Sequence, residues 1–248
     1  MLFKARRSFS DIKVNVDYTI IGDVVELPLP SLDGVISVER ALACRRSLRE
    51  YTEDPINLQE FSQILWASYG VSEVNYGFKT TPSAGATYPL EVYAVVYPRG
   101  VILPDGYYME PGSYKYDPYT HTLTLVRKGD LSRDLYKAGL QQEWILNARA
   151  CLVITAVYER TTRRYGDRGV RYVLIEVGHA AQNVYLQATA LGLATVAIGA
   201  FYDERVREIV GAPANEHVLC VMPLARPRKP YNLRLEDLAR YIDRRRRS

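Results

Sequence analysis

A cluster of cations and one hydroxyl group follows the first predicted helix of this chain. Three arginines and a serine stand within five residues, in the order Arg45-Arg46-Ser47-Leu48-Arg49. Guanidinium groups bind phosphate oxygens bidentately, and a serine hydroxyl adds a further donor. The segment therefore indicates a site for an anion. A solvated basic loop is the alternative, because the dipole of the preceding helix also favours cations at its C-terminal end.

Two runs of small residues offer close approach of the backbone to a flat ligand. Pro82-Ser83-Ala84-Gly85-Ala86 precedes a predicted strand, and Val196-Ala197-Ile198-Gly199-Ala200-Phe201 follows a long predicted helix. Small side chains let amides approach a planar ring, and the N–H of Gly199 could donate to a ring nitrogen. Either run alone would also suit a plain turn. Together with the arginines they indicate a flavin site, in which Arg49 would stabilise negative charge on the reduced ring.

Composition narrows the class of protein. The 248 residues suit one domain with a sizeable core. The sequence contains neither a long apolar run nor a signal peptide. We therefore expect a cytoplasmic protein that does not enter a membrane. The net charge of +4 equals the charge of the four arginines Arg244–Arg247, so the basic charge is concentrated at the C-terminus. No aromatic residues are interleaved with these arginines, so a solvated terminus is favoured over nucleic-acid binding.

Cysteine and histidine spacing predicts no metal site. The three cysteines and three histidines are far apart, without a Cys-x-x-Cys pair or histidines at ligand spacing. We interpret the cysteines as core thiols. His179, on the apolar-rich long helix, is interpreted as a packed and hydrogen-bonded histidine.

The order of predicted elements favours an α+β fold over a doubly wound one. Capping residues at Ser37 and Asn57 predict two helices, and the strands and helices that follow do not alternate strictly. Strands are predicted over 90–97, 112–116, 121–126, 150–158, 195–198 and 217–224, and helices over 131–147, 170–191 and 203–210, the last capped by Asp203. Residues 1–35 are predicted to form an extended arm, 36–230 the ligand-binding domain, and 231–248 a C-terminal helix or arm.

From about Val38 to Arg226 the chain resembles the nitroreductase superfamily of FMN-dependent oxidoreductases. The resemblance is closest to the SagB-type dehydrogenases, which oxidise azolines in modified peptides. It rests on the following segments: 45–51 (RRSLREY), 82–91 (PSAGATYPLE), 165–172 (YGDRGVRY), Gly178-His179, Gln182-Asn183 and Leu191-Gly192-Leu193. The resemblance implies a nitroreductase-like fold, a central mixed or antiparallel sheet flanked by helices, with the long helix at a homodimer interface and FMN bound there.

The resemblance also implies a role for each candidate residue. Arg45 and Ser47 would hold the FMN phosphate, Arg46 would assist, and Arg49 would lie at the polar edge of the ring. Backbone and small side chains would line the ring. These candidates are Pro82, Ser83, Ala84, Gly85 and Ala86, with Gln141 as a polar side chain at the ring, Ile198, Gly199 and Ala200 as amide donors to N5, and Arg226 as a late arginine on the phosphate.

One pair departs from the SagB-type pattern. Relatives carry Lys-Tyr just before the Gly-x-Arg motif, proposed as acid and base, whereas this chain has Arg164-Tyr165. An arginine does not lose its proton in proteins, so Arg164 could bind an anion or orient a substrate but could not act as a base. Tyr165 is the candidate acid; its alternative role is that of one more packed tyrosine among twenty.

The motifs and the resemblance together leave three candidate functions. The first is ping-pong transfer of two electrons from NAD(P)H to a nitro compound or quinone; the nicotinamide would visit transiently, because the sequence has no G-x-G-x-x-G fingerprint. The second is azoline oxidation in a modified peptide. The third is a flavin-binding subunit without catalytic activity.

Overall fold

A single large sheet organises the fold of residues 18–247, the part of the chain that the computed structural model describes. Its strand order is β1-β2-β9-β8-β6-β10-β12-β11, and every neighbouring pair is antiparallel. Its strands are β1 (Thr19–Ile21), β2 (Val24–Glu26), β6 (Leu90–Val96), β8 (Gly112–Asp117), β9 (Thr122–Lys128), β10 (Ala150–Ala156), β11 (Ala194–Thr195) and β12 (His217–Ala225). Two small pairs lie outside it, parallel β3 (Ile56–Asn57) with β7 (Val101–Ile102) and antiparallel β4 (Val71–Glu73) with β5 (Phe78–Lys79).

Helices cover both faces of this sheet. Those in the described chain are α1 (Val38–Cys44), α2 (Leu58–Tyr69), α3 (Ser132–Ala138), α4 (Glu143–Leu146), α5 (Glu159–Tyr165), α6 (Arg168–Ala190), α7 (Asp203–Val210) and α8 (Leu235–Arg246). None of the helices in this part of the chain combines the length and apolar composition that crossing a bilayer requires. The expected α+β fold with a helix-flanked antiparallel sheet is confirmed.

Strand β6 shows how the sheet separates two cores. Leu90, Val92 and Ala94 pack with α2 and α6, whereas Tyr93 and Val95 pack with α3 and α7. Successive side chains of a strand point to opposite faces, so a strand covered on both sides must be apolar throughout. The central strands β6 and β10 are therefore buried on both faces.

The caps predicted from sequence set the starts of the first two helices. The Ser37 side chain accepts the N–H of Arg40, and Asn57 and Glu60 form a reciprocal capping box. At the other end of the chain, Gly211 adopts a left-handed conformation that ends α7. Asp203 is the first residue of α7 and makes no cap, which corrects the sequence-based assignment.

The segment 131–147 was predicted as one helix and is two. Helices α3 and α4 are separated by a turn in which Leu140 and Gln141 both have φ of +57°. Left-handed backbone at two consecutive non-glycine residues ends a right-handed helix, and Gly139, the C-cap of α3, is the local signal that the prediction overlooked. Likewise, the strand predicted over 195–198 is the two-residue β11 followed by an isolated bridge from Ile198 to Val221.

Part of the predicted N-terminal arm forms regular secondary structure. Residues 1–17 lie outside the described residues, but β1 and β2 form a hairpin that joins the sheet, with Val24 opposite Thr124. The chain then crosses α2, where Ser62 donates to the Pro28 carbonyl at 2.6 Å. The predicted C-terminal helix is α8, none of whose residues is buried.

Gly100 allows a close approach that a side chain would prevent. A Cβ at this position would overlap the carbonyl oxygen of Arg149. We expect Gly100→Ala to lower the free energy of unfolding by about 3 kcal/mol, because backbone must move to make room. Urea denaturation measures this, and Gly34→Ala, whose Cβ would lie 3.7 Å from the nearest atom, should change the value by less than about 0.5 kcal/mol. Equal effects of the two substitutions would contradict the steric argument.

Candidate functional site

The arginine-rich segment lies along the edge of the sheet near β11. The Leu48 N–H donates to the Thr195 carbonyl at 3.2 Å, and the Thr52 N–H donates to the Arg226 carbonyl at 2.9 Å. These backbone hydrogen bonds fix the segment between the end of α1 and the end of β12. Its side chains are thereby presented next to the small-residue run that follows β11.

The hydroxyl of Tyr185, on α6, joins the two segments directly. It lies 2.8 Å from Ser47 Oγ and accepts the N–H of Ala197 at 2.8 Å. The Arg45 guanidinium lies over the same ring, 5.0 Å from its centroid. Tyr185 therefore positions three parts of the site. The sequence analysis missed this residue, although its place on the apolar-rich helix, eight residues after Val177, is typical of a helix face turned inward.

The three arginines of the segment contact aromatic rings and not carboxylates. Arg46 lies 3.9 Å from the centroid of Tyr231, and Arg49 lies 5.0 Å from that of Trp144. Among residues 18–247, none of Arg45, Arg46 and Arg49 forms an ion pair with an acidic side chain. Cations that share a small surface without neutralising carboxylates form an electropositive patch suited to an anion.

Arg226 is arranged differently. Its two terminal nitrogens donate to the carboxylate of Glu60 at 3.0 and 2.6 Å, and Glu60 also completes the cap of α2. This bidentate pair ties the end of β12 to α2. The guanidinium is thus already held by a buried carboxylate, and a role for Arg226 on a phosphate stays a prediction.

The loop Pro82 to Ala86 is a strained turn that exposes its backbone. Residues 84–86 form a 3₁₀ turn in which Gly85 and Ala86 have φ of +60° and +54°. Pro82, Gly85 and Ala86 are exposed, whereas Ser83 is half-buried and its Oγ accepts the N–H of Tyr88 at 2.9 Å. Backbone held in this uncommon conformation by its surroundings is typical of a ligand-binding turn.

The structure brings Arg164 and Tyr165 to this turn. Arg164 Nη1 donates to the Gly85 carbonyl at 3.1 Å, and a Cβ at Gly85 would collide with the Tyr165 hydroxyl. Tyr165 also packs edge-on against Tyr172, with 5.1 Å between the ring centroids. The predicted catalytic pair and the predicted ring-lining loop are therefore neighbours, and a side chain at position 85 would require Tyr165 and Arg164 to move.

The second small-residue run offers fewer free amides than expected. The Ile198 N–H donates to the Val221 carbonyl at 2.9 Å, so it is occupied within the sheet. Gly199 and Ala200 are exposed, and neither donates a backbone hydrogen bond within the described chain. An amide offered to a ligand would come from these two residues and not from Ile198.

Gln142, and not Gln141, contacts this run. Gln142 Nε2 donates to the Ala200 carbonyl at 2.9 Å and to the Gly139 carbonyl at 2.8 Å. Gln141 is exposed, and its side chain makes no hydrogen bond to another described residue. Its predicted position at the ring of a ligand stays a prediction.

Comparison with known proteins identifies the family. The model of the nitroreductase family matches residues 42–226. A protein of Methanocaldococcus jannaschii assigned as a nitroreductase, MJ1384, is 50% identical over 206 residues, which cover 83% of this chain and 98% of that protein. The chain belongs to the nitroreductase family. The predicted membership is thereby confirmed.

Solved structures agree with the family. The crystal structure of a protein assigned as a nitroreductase in Ralstonia eutropha JMP134 has a TM-score of 0.71 at 25% identity and covers 87% of this chain and 96% of its own. Two further structures share the fold. They are the E. coli microcin synthetase McbBCD complex with truncated pro-MccB17 bound (TM-score 0.64, 18% identity, 92% of this chain and 85% of that one) and the Vibrio harveyi NADPH:FMN oxidoreductase complexed with NAD+ (TM-score 0.54, 19% identity, 79% and 71%).

This member of the nitroreductase family also holds a buried acid beside the Pro82 to Ala86 loop. Glu176, in the middle of α6, is 2% exposed, and Tyr69 donates to its Oε1 at 2.6 Å. Burial raises the pKa of Glu176, against the opposing effects of the Ser83 and Tyr69 hydroxyls and the charges of Lys79 and His179. Sequence reasoning missed it, although a glutamate between Val173 and Ala180 on the apolar side of a helix is a usable signal.

Lys79 is the cation that faces this acid. Its Nζ lies 4.0 Å from the ring centroid of Tyr69 and 5.0 Å from that of Tyr88. Burial lowers the pKa of Lys79 to about 8, although Glu91 and Glu176 oppose the shift. The lysine is therefore partly neutral near physiological pH, unlike an exposed lysine.

The low pKa of Lys79 can be tested directly. We expect the Cε resonance of Lys79, in protein labelled with ¹³C-lysine, to titrate with a midpoint near pH 8. Since the folded-state pKa lies below that of the unfolded chain, stability should rise with pH from about 8 towards the usual lysine range. Lys79→Met should remove the resonance and flatten the rise. A midpoint in the ordinary lysine range would contradict burial as the governing effect.

Proposed function

We propose that the protein is an FMN-dependent oxidoreductase that transfers two electrons from NAD(P)H to a small organic acceptor such as a nitro compound or a quinone. The observation that carries the proposal is the group of three arginines that lie beside the exposed run after β11 and form no ion pair within residues 18–247. An anionic phosphate and a flat ring are the two parts of a flavin nucleotide. The family membership supports the same cofactor.

The residues present suit each part of FMN. Arg45 and Ser47 would hold the phosphate, and Arg49 would face the pyrimidine edge of the ring. The free amides of Gly199 and Ala200 would donate to ring nitrogens, and the exposed turn at Gly85 would lie along the ring. When bound, FMN would accept a hydride and pass it on, and the protein would supply orientation and electrostatics.

A homodimer would complete the site. Glu176, beside the Pro82 to Ala86 loop, and Tyr185, beside the arginines, are nine residues apart on α6, which is about 14 Å along a helix axis. Val170, Leu174 and Ile175 on the same helix are exposed, at 42%, 51% and 48%. An apolar helix face of this kind is suited to a second copy, which would bring its own loop to the ligand.

The nicotinamide would bind only transiently. Ping-pong transfer uses one open face of the ring for donor and acceptor in turn, so a second nucleotide site is not needed. The Vibrio harveyi neighbour, an NADPH:FMN oxidoreductase complexed with NAD+, shares this fold and supports the assignment of the donor.

A second candidate function, oxidation of azolines in a modified peptide, is favoured by Lys79. Arg164 cannot act as the base that this reaction needs. Lys79, with a pKa of about 8, is a lysine that can lose its proton near neutral pH, and it faces Glu176 beside the same loop. Formation of azoles from a thiazoline-containing peptide by the purified protein would establish this function.

The visible absorption spectrum of the purified protein tests the proposal. We expect flavin bands that bleach on anaerobic addition of NADH or NADPH and return when a quinone is added. Flavin bands that persist with both nicotinamides would favour the azoline function. A colourless protein that takes up no added FMN would refute flavin binding.

The phosphate assignment predicts loss of cofactor on substitution. We expect Arg45→Ala or Ser47→Ala to weaken FMN binding about tenfold or more, because each substitution removes a charge-assisted hydrogen bond to the phosphate. Quenching of FMN fluorescence measures the affinity. Arg133→Ala, which removes an exposed arginine on α3, should bind FMN as the unaltered protein does. Wild-type affinity in both site variants would refute the assignment.

Tyr165 is predicted to act on the acceptor and not on the cofactor. We expect Tyr165→Phe to keep FMN and its reduction by NAD(P)H, because the ring still packs against Tyr172. Reoxidation by a quinone should slow about tenfold or more, since the phenol no longer donates to the acceptor. Stopped-flow absorbance measures both steps, and an unchanged reoxidation rate would remove Tyr165 from the reaction.

A further inference from the structure

A cavity of about 800 Å³ lies between α1, the C-terminal end of α6 with β11, and residues 227–232. A volume of this size is within the range of about 300 to 1,000 Å³ that is typical of small-molecule sites. Much of its wall is apolar, with Ile36, Leu48, Leu193 and Pro230 among the lining residues. The cavity can therefore hold the body of an organic molecule.

Arg40 and Arg46 supply the charge of this cavity. Arg40 Nη1 donates to the Leu233 carbonyl at 2.8 Å, and Arg46 Nη1 donates to the Arg45 carbonyl. The other nitrogens of both guanidinium groups make no hydrogen bond within residues 18–247, and neither group forms an ion pair there. No aspartate or glutamate is among the described residues that line the cavity. Two cations with unused donors in such a wall favour an anionic ligand.

The cavity is separate from the site proposed for the FMN phosphate. Arg45 and Ser47 both contact Tyr185 on α6, and neither lines the cavity. Arg46, between them in sequence, lies over Tyr231 instead, 3.9 Å from the ring centroid. Consecutive side chains of the arginine segment therefore lie at two different places.

A buried hydroxyl group in the wall of the cavity lacks a partner. Thr195, on β11, lines the cavity and is 2% exposed, and its Oγ1 makes no hydrogen bond within the described chain. Buried polar groups are nearly always paired with protein, water or ligand atoms. The wall therefore contains a donor that the described chain itself does not use.

We propose that this cavity binds a small organic oxyanion, a phosphate or carboxylate group carried on an apolar body. The free nitrogens of Arg40 and Arg46 would hold the charged group, and the apolar wall would contact the body. The site does not include the residues assigned to the flavin, so it goes beyond the proposed function. It gives Arg46 a ligand other than the FMN phosphate, at which the resemblance implied an assisting role.

Cys44 can report the charge of the cavity. It lines the cavity one turn after Arg40 and is half-buried, whereas Cys151 and Cys220 are buried. We expect Arg40→Gln and Arg46→Gln to slow alkylation of Cys44 by iodoacetate, an anion, about tenfold, and to change alkylation by neutral iodoacetamide less than about twofold. Altered reactivity of the thiol itself would change both rates alike. Arg133→Gln, on α3, is the exposed control.

Mass spectrometry measures these rates and counts the alkylated thiols. A variant that has unfolded would be alkylated at all three cysteines and is recognised in this way, and protection of the unaltered protein by a ligand then decides. Equal slowing with both reagents in a folded variant, or no slowing with iodoacetate, would overturn the proposal.

Protection of Cys44 tests the ligand in the unaltered protein saturated with FMN. We expect phenyl phosphate or benzoate to slow alkylation by iodoacetamide, and phenol, their neutral counterpart, to protect at least about tenfold less strongly. The anion that protects at the lower concentration identifies the charged group. Protection should be lost in Arg40→Gln, which should still bind FMN as the unaltered protein does. No protection by either anion, equal protection by phenol, or undiminished protection in Arg40→Gln would contradict the proposal.

The flavin and the cavity are tested separately by these measurements. A protein that binds no FMN would refute the proposed function, and the alkylation of Cys44 would still decide whether the cavity binds an anion. Arg45→Ala, which is expected to weaken FMN binding, should keep the protection of Cys44 by the anion.

Discussion

The hydroxyl of Tyr185 is the point at which three distant parts of the chain meet. It contacts Ser47 after α1 and Ala197 after β11, while its own position is set by α6. A phenol hydroxyl has one proton and two lone pairs, so it can satisfy both neighbours at once. It adds a side-chain link to the backbone hydrogen bonds that the segment makes at Leu48 and Thr52. One side chain therefore connects the arginine segment to the second small-residue run.

Helix α6 positions the candidate site because its faces make different contacts. One side buries small apolar residues such as Ala180 and Val184 against the sheet, which lets the helix lie close to it. Polar residues on turns between them reach the loops, as Asn183 does with the Thr80 carbonyl at 3.2 Å. A third side exposes Leu174 and Ile175. The helix thus links both halves of the candidate site to the surface that a second copy would cover.

Local signals in the sequence predict the elements well but not their long-range partners. The caps at Ser37 and Asn57 act within four residues, and they place α1 and α2 correctly. The break after α3 has a local signal in its C-cap, Gly139, whereas the left-handed conformation of Leu140 and Gln141 is not one that their residue types favour. The family motifs identified the segments that are proposed to form the site. The contact of Arg226 with Glu60, 166 residues away along the chain, could be known only from the fold.

Two buried glutamates of this region, Glu60 and Glu176, differ in the hydrogen-bond donors that surround them. Glu60 receives two N–H groups from Arg226 and the N–H of Asn57, so its negative charge is compensated on the spot. Glu176 accepts the hydroxyl proton of Tyr69 and forms no ion pair within the described chain, and burial raises its pKa. The two sites thus differ in the number and charge of the donors that each carboxyl group meets.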